Sequence, residues 1–316
     1  QPAMRLLYMR YLNLIMSVLL CVLLHLPVWG NTPAALNRLF FGGGSNDISF
    51  KVGIKGGINF TAVIPLERFS VLQPIQGNDA ASGEKDYTAF YHNLGYQYGF
   101  IGMLQIGKAL CISLEPTFSN YTLKYESTST WMDASNPADR IVVNTNYNDK
   151  LRYFEIPLVV RYQLGSQQIK PYLAAGFFYG MLTGAAGNVE SSTVQYINDV
   201  EIPVENSSYE GNIANNFIST RLAAFPGAGI MVEFSFATLF VEADYYFTLH
   251  NVTDESSRYS NQQSVGSYYD VPDNLRPDNL VINLGILFNI NRASLQGGQG
   301  RGKGSAVECP PALKKR

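Results

Sequence analysis

Between Phe50 and Ile290 apolar and polar residues alternate with a period of two in eight segments, and no long segment carries a helical apolar stripe. Each segment therefore reads as a strand with two unlike faces. The first sets Phe50, Val52, Ile54, Ile58 and Phe60 against Lys51, Lys55 and Asn59. The second sets Leu94, Tyr96, Tyr98, Phe100, Leu104 and Ile106 against Asn93, Gln97 and Gln105. In the third, Leu110, Ile112, Leu114 and Phe118 oppose Ser113, Glu115, Thr117 and Ser119. The fourth runs from Phe154 to Leu164 and carries Glu155, Arg161 and Gln163 on its polar face. The fifth, Pro171 to Thr183, does not declare its facing. The sixth opposes Leu222, Ala224, Ala228, Ile230 and Val232 to Arg221, Gly227, Gly229 and Glu233. The seventh opposes Leu239, Val241, Ala243, Tyr245 and Phe247 to Thr238, Glu242, Asp244 and Thr248. The eighth opposes Leu280, Ile282, Leu284, Ile286, Phe288 and Ile290 to Asn283, Gly285 and Asn289.

The joins decide what kind of sheet this is. Gly107–Ala109, Gly165–Ile169 and Phe234–Ala237 are short enough for hairpin turns. Thr61–Phe90, Leu123–Lys150, Gly184–Asn216 and His250–Asn279 run to about thirty residues each. Short and long joins alternate, as in a transmembrane β-barrel with tight periplasmic turns and long external loops. The expectation is an all-β, eight-stranded antiparallel barrel of the outer membrane. Hydrocarbon offers the backbone no partner, and only a closed sheet leaves no unpaired edge. A soluble lipocalin-like barrel would reverse the facing, and alternation alone does not separate inside from outside. Spans of ten or more residues with tyrosines near their ends favour the membrane.

The ends read differently. Arg5 and Arg10 precede the apolar run Leu14–Leu24, and Pro27-Val28-Trp29-Gly30 follows, which is the layout of a signal peptide over residues 1–30. Residues 31–47 then form a periplasmic linker, 48–291 the barrel, and 292–316 a basic, disordered tail. Without residues 1–30 the charge falls from -2 to -4, because two arginines leave and no acid does. No basic field exists to hold a nucleic acid. Cys111 and Cys309 sit in dissimilar surroundings, so neither a disulfide framework nor a metal cluster is expected.

VGIKGGINF (Val52 to Phe60), YFEIPLVVRY (Tyr153 to Tyr162) and KPYLAAGFFYG (Lys170 to Gly180) resemble the PorT-like outer-membrane β-barrel family. The resemblance covers nearly all of the segmented region. It implies an eight-stranded barrel with no defined activity in most members and a secretion role in the founding one. Asn283, Gly285, Phe288 and Ile290 also resemble the C-terminal signal read by the barrel-assembly machinery, although here more chain follows Ile290.

The charges expected to face the lumen are Lys51, Lys55, Arg161 and Arg221 against Glu115, Glu155, Glu233, Glu242 and Asp244. An eight-stranded barrel is just wide enough for side chains to fill, so such charges plug the lumen more often than they line a pore. No catalytic residue and no cofactor are expected. His92 and His250 are the only histidines past the signal region, and neither belongs to a nucleophile–base pattern. His250 lies near Asp244 and Asp254 in sequence, which is the extent of a surface-hydrolase reading. The four long joins hold eighteen Asp or Glu against seven Lys or Arg. The expected partners are outer-membrane lipid, lipopolysaccharide reached by divalent-cation bridging, and a secretion-apparatus or surface protein contacted through Trp131, Tyr196, Tyr209, Tyr259, Tyr268 and Tyr269. The leading expectation is a non-enzymatic barrel that presents acidic loops for binding or assembly, with a small transport pore as the alternative.

Overall fold

The computed structural model describes residues 48–70, 85–133, 135–165, 167–204, 206–260 and 270–290. The signal, linker and tail expected at the two ends lie outside the described residues, as do parts of all four long joins, Tyr268 and Tyr269 among them.

The described chain is antiparallel β-structure throughout, with single 3-10 turns between strands. Its strands are β1 (Ile48–Glu67), β2 (Lys85–Tyr87), β3 (Leu94–Ile106), β4 (Leu110–Leu114), β5 (Thr117–Met132) and β6 (Arg140–Gln163). They continue as β7 (Ile169–Ile197), β8 (Val200–Pro203), β9 (Ser207–Asn212), β10 (Thr220–Glu233), β11 (Ala237–Thr248) and β12 (Asn274–Ile290). Neighbours pair as β1 with β3, β3 with β4 and β5, those two with β6, β6 with β7, β7 with β10, β10 with β11, β11 with β12, and β12 with β1. The order of neighbours returns on itself. β2 pairs only with β5, and β8 and β9 only with β7.

Twelve strands stand where the sequence pattern suggests eight, for two physical reasons. The third segment breaks at Glu115–Pro116, where Pro116 has no N–H to give to a ladder; β4 and β5 lie on either side and share the neighbours β3 and β6. The long joins, moreover, are not plain loops. β5 and β6 stay paired out to Met132–Arg140, and β6 and β7 out to Arg140–Tyr196, because Tyr125, Tyr147 and Val189 keep an apolar face inside the extension. The β7–β8 hairpin then turns on Asn198 and Asp199, with φ of 49° and 61°, the left-handed pair that a two-residue turn requires. The three short turns fall where the sequence places them, between β3 and β4, β6 and β7, and β10 and β11. Gly107 and Gly165 supply positive φ there, 63° and 111°.

Facing follows the alternation closely. Ile54, Phe100, Leu173, Ile230, Val241 and Leu284 are exposed and form part of an apolar outer belt. The fifth segment resolves with Lys170, Tyr172, Ala174, Phe178 and Gly180 buried, and Leu173, Phe177 and Tyr179 outside. Asn289 departs from the expected inward facing and is exposed near the end of β12. The interior is also less purely polar than expected. Ile101, Met103, Phe178, Phe225, Met231, Phe240, Tyr246 and Leu287 are buried there in one apolar cluster beside the charges.

Candidate functional site

Eight of the nine charges predicted to face inward form three groups, and Asp244 stands outside them. At the end of the short turns, Lys51 meets Glu233 at 3.0 Å, and Lys170, which the sequence reading did not identify, meets the other Glu233 oxygen at 2.6 Å. In the middle, Lys55 and Arg161 hold the two oxygens of Glu115 at 2.8 and 2.6 Å. Arg161 then turns its fork on Glu242, with Nε and Nη2 donating at 2.6 and 2.7 Å. This four-residue chain is almost wholly buried, so each charge depends on its partner for solvation. Nearer the long joins, Glu155 accepts from Ser119 at 2.8 Å and Tyr121 at 2.9 Å, and its cation is Arg221 at 3.7 Å rather than Arg161 on its own strand. Arg221 stacks on Tyr121, 4.6 Å from the ring centre, and donates to Thr248 and the Pro277 carbonyl. Asp244 stands apart from the ion pairs; its Oδ2 accepts from Asn283, whose Oδ1 accepts from Gln97 at 2.8 Å.

Two of the residues expected to be read by assembly machinery thus also serve the interior. Asn283 ties Asp244 to Gln97, and Gly285 leaves room for the Phe240 ring, which would lie 2.3 Å from a β-carbon there. Phe288 and Ile290 point outward and are exposed.

Beyond the apolar belt a second cluster closes the ring at the end of the long joins. Lys85 pairs with Asp270 at 2.8 Å and lies 3.7 Å from Asp273. Tyr87 donates to Asp273 at 2.6 Å, and Tyr125 donates to Asp270 at 3.1 Å while stacking on Tyr147 at 4.4 Å. Asp149 lines the same cavity of about 20 Å³, buried and without a hydrogen bond or ion pair among the described residues. Burial, with Asp270 adding repulsion against the pull of Lys85, raises its carboxyl to about 8. The spacing of Lys85, Asp149, Asp270 and Asp273 along the chain gave no sign of this meeting, because it depends on β2 lying against β5 and on the segment before β12 folding inward.

The histidine reading finds no support in the geometry. His250 Nε2 accepts the Leu222 N–H at 3.1 Å, and Nδ1 lies 2.7 Å from the Asn251 carbonyl, so both ring nitrogens bind backbone. Asp254 instead caps a 3-10 turn by accepting from Ser256. Cys111 is a buried free thiol. Among the described residues no group of three or more His, Cys, Asp or Glu is placed to hold a metal ion.

A search of curated proteins finds no match to this chain. Solved structures similar to it include Neisserial surface protein A, at 11% identity over 76% of this chain and 97% of the other, with a TM-score of 0.32. OprG of Pseudomonas aeruginosa is similar at 11% identity, over 78% of this chain and 98% of the other, with a TM-score of 0.34. The outer membrane protease OmpT of Escherichia coli is similar at 12% identity, over 78% and 98%, with a TM-score of 0.33. The family model described as the outer membrane protein beta-barrel domain matches residues 37–254, well over half of the sequence, and the chain belongs to that outer-membrane family.

Proposed function

We propose that this chain is a non-enzymatic barrel of eight spans whose extended ribbons dock a protein partner at the cell surface. The count of eight spans is supported by the positions around the ring, where β4 and β5 share the neighbours β3 and β6 and β2, β8 and β9 pair outside it. The observation that carries the docking reading is the tip of the β6–β7–β8 ribbon. There Ile141 at the outer end of β6, Ile197 at the outer end of β7, Val200 and Ile202 on the four-residue β8, and Val204 just after it are all exposed. Apolar side chains at the far end of a ribbon gain by being covered, and among the described residues β8 ends the path of paired strands, leaving an edge that another strand could extend. A surface or secretion-apparatus protein is the class of partner such an edge suits. The segments at 52–60, 153–162 and 170–180 support the narrower PorT-like assignment.

The interior favours a closed plug over a transport path. Arg161, Arg221, Tyr121, Tyr153, Tyr172, Tyr246, Phe178 and Phe240 are fully buried across it. A photo-crosslinking residue at Ile202 in intact cells is expected to capture a discrete protein adduct, and one at Phe100, in the belt, is not. Adduct-free Ile202 together with steady single-channel openings of the reconstituted protein would overturn the docking reading in favour of a pore.

A further inference from the structure

The outer face of β5, β6 and β7 changes character in register, one tier at a time. The last apolar tier is Phe118–Phe154–Met181, followed by Asn120–Arg152–Gly184 and Thr122–Lys150–Ala186. Above these come Lys124–Asn148–Asn188 and then Glu126–Asn146–Glu190. Two residues of strand advance about 7 Å, so Arg152 and Lys150 stand about 7 and 13 Å along the strand from the apolar row, at the depth of lipid headgroups. Lys124 is the diagonal neighbour of Lys150, and its long stem can lower its ammonium toward the same level. Arg152 and Lys150 are exposed and Lys124 is half-buried. Among the described residues none of the three has an ion-pair partner, although Glu126 lies one tier above Lys124.

Directly above the cations lies a groove of about 230 Å³, lined by Thr88, Lys124, Asn146, Asn148, Asn188 and Glu190 among others. The Oδ1 of Asn148 is buried without a hydrogen-bond partner. Amides and two carboxylates, Glu126 and Glu190, around a space of this size suit the hydroxyls of a sugar ring, while the basic residues below suit phosphate. We propose that this face binds the headgroup of a phosphorylated glycolipid, with phosphate held by Arg152, Lys150 and Lys124 and the sugar lodged in the groove against Asn148 and Asn188. The inference rests on the outer-membrane placement of the chain but not on the docking role of the ribbon tip. It also replaces divalent-cation bridging through loop acids with direct charge pairing, because the groups nearest the belt are cationic.

The test uses the full chain reconstituted in vesicles containing bisphosphorylated lipid A or its dephosphorylated form, with co-purifying glycolipid counted by native mass spectrometry. The wild type is expected to retain the phosphorylated form preferentially. A variant carrying Lys124→Gln, Lys150→Gln and Arg152→Gln should lose at least about tenfold of that retention, since each basic residue near a charged membrane surface contributes to the attraction. Lys108→Gln, in the turn at the opposite end, should change nothing. Asn148→Leu should reduce glycolipid retention while leaving phosphatidylglycerol retention as it was, which separates sugar recognition from simple charge. All variants are scored only after heat-modified gel mobility shows a folded barrel. Equal retention of the two lipid A forms by the wild type, or wild-type retention by the folded triple variant, would overturn the proposal and leave the docking reading of the ribbon tip untouched.

Discussion

Glu115 is the residue on which the interior turns. It holds Lys55 and Arg161 at once and is itself almost wholly buried. Its removal leaves two buried cations short of a partner, so Glu115→Gln is expected to destabilise the folded state by about 3 to 5 kcal/mol. Glu233 also holds two cations, Lys51 and Lys170, but its side chain is 28% exposed and water can replace it. Because Lys51 and Lys170 are themselves buried, Glu233→Gln should cost more than breaking an exposed pair but less than Glu115→Gln, about 1 to 3 kcal/mol. Urea-induced unfolding of the two variants, followed by tryptophan fluorescence and gel mobility, checks the contrast; equal losses would mean that the middle of the interior is as wet as its mouth. Asp149 provides the pH-dependent counterpart outside the membrane. Its carboxyl titrates near 8 in the folded protein and near 4 in an unfolded chain. Below pH 4 both states are protonated and no penalty arises. Between pH 4 and 8 the unfolded state ionises while the folded state keeps its proton, so this contribution to stability falls as pH rises and levels off above 8. Asp149→Asn removes that slope, and at pH 8.5 the variant should be more stable than the wild type by up to about 5 kcal/mol. Hydrogen exchange of the outer ends of β6 and β7 across this pH range measures it.

At the scale of the strand, the controlling rule is that one face meets lipid and the other meets the interior. Leu284 stands 65% exposed in the middle of β12, flanked by Gly56 of β1 and Val241 of β11. Leu284→Lys places a charge in the belt and should cost about 2 to 4 kcal/mol, with a sharp drop in the inserted fraction. Asn289→Lys, exposed near the end of the same strand, should be mild. Membrane fractionation and heat-modified mobility distinguish the two, and normal insertion of Leu284→Lys would mean that this face does not meet hydrocarbon. Strand facing was legible because side chains alternate strictly, so a single Lys51 or Ile54 declares the direction of its neighbours. Strand length was less legible. The segments 123–132 and 184–197 contain charges and polar residues on their outer face, and only their pairing with β6 shows that they continue as strands.

For the whole molecule, closure brings together residues far apart in sequence. Arg161 meets Glu242 and Lys51 meets Glu233 only because β1, β6, β10 and β11 face one another across the interior. The ring has unequal ends, three short turns at one and the β5–β8 ribbons at the other, and the proposed direction in the membrane puts the ribbons outside. An epitope inserted between Asn198 and Asp199 should be reached by antibody on intact cells, and one inserted at Lys108 should be reached only after permeabilisation. The reverse pattern would invert the orientation and place the basic tier of β5 and β6 at the inner leaflet.

The sequence by itself carried what is local and periodic: the all-β class, the alternation of faces along most of the segments apart from the end of the eighth at Asn289, and the positions of the three short turns. Period-two alternation and turn chemistry act over a few residues, and so they are written in the order of the residues. Tertiary structure alone decided which charge meets which, the inward turn of Lys170, the apolar share of the interior, the burial of Asp149 beside Asp270, and the tiered cations beside the groove above Phe118 and Phe154. These depend on register between strands more than two hundred positions apart, which no local pattern encodes.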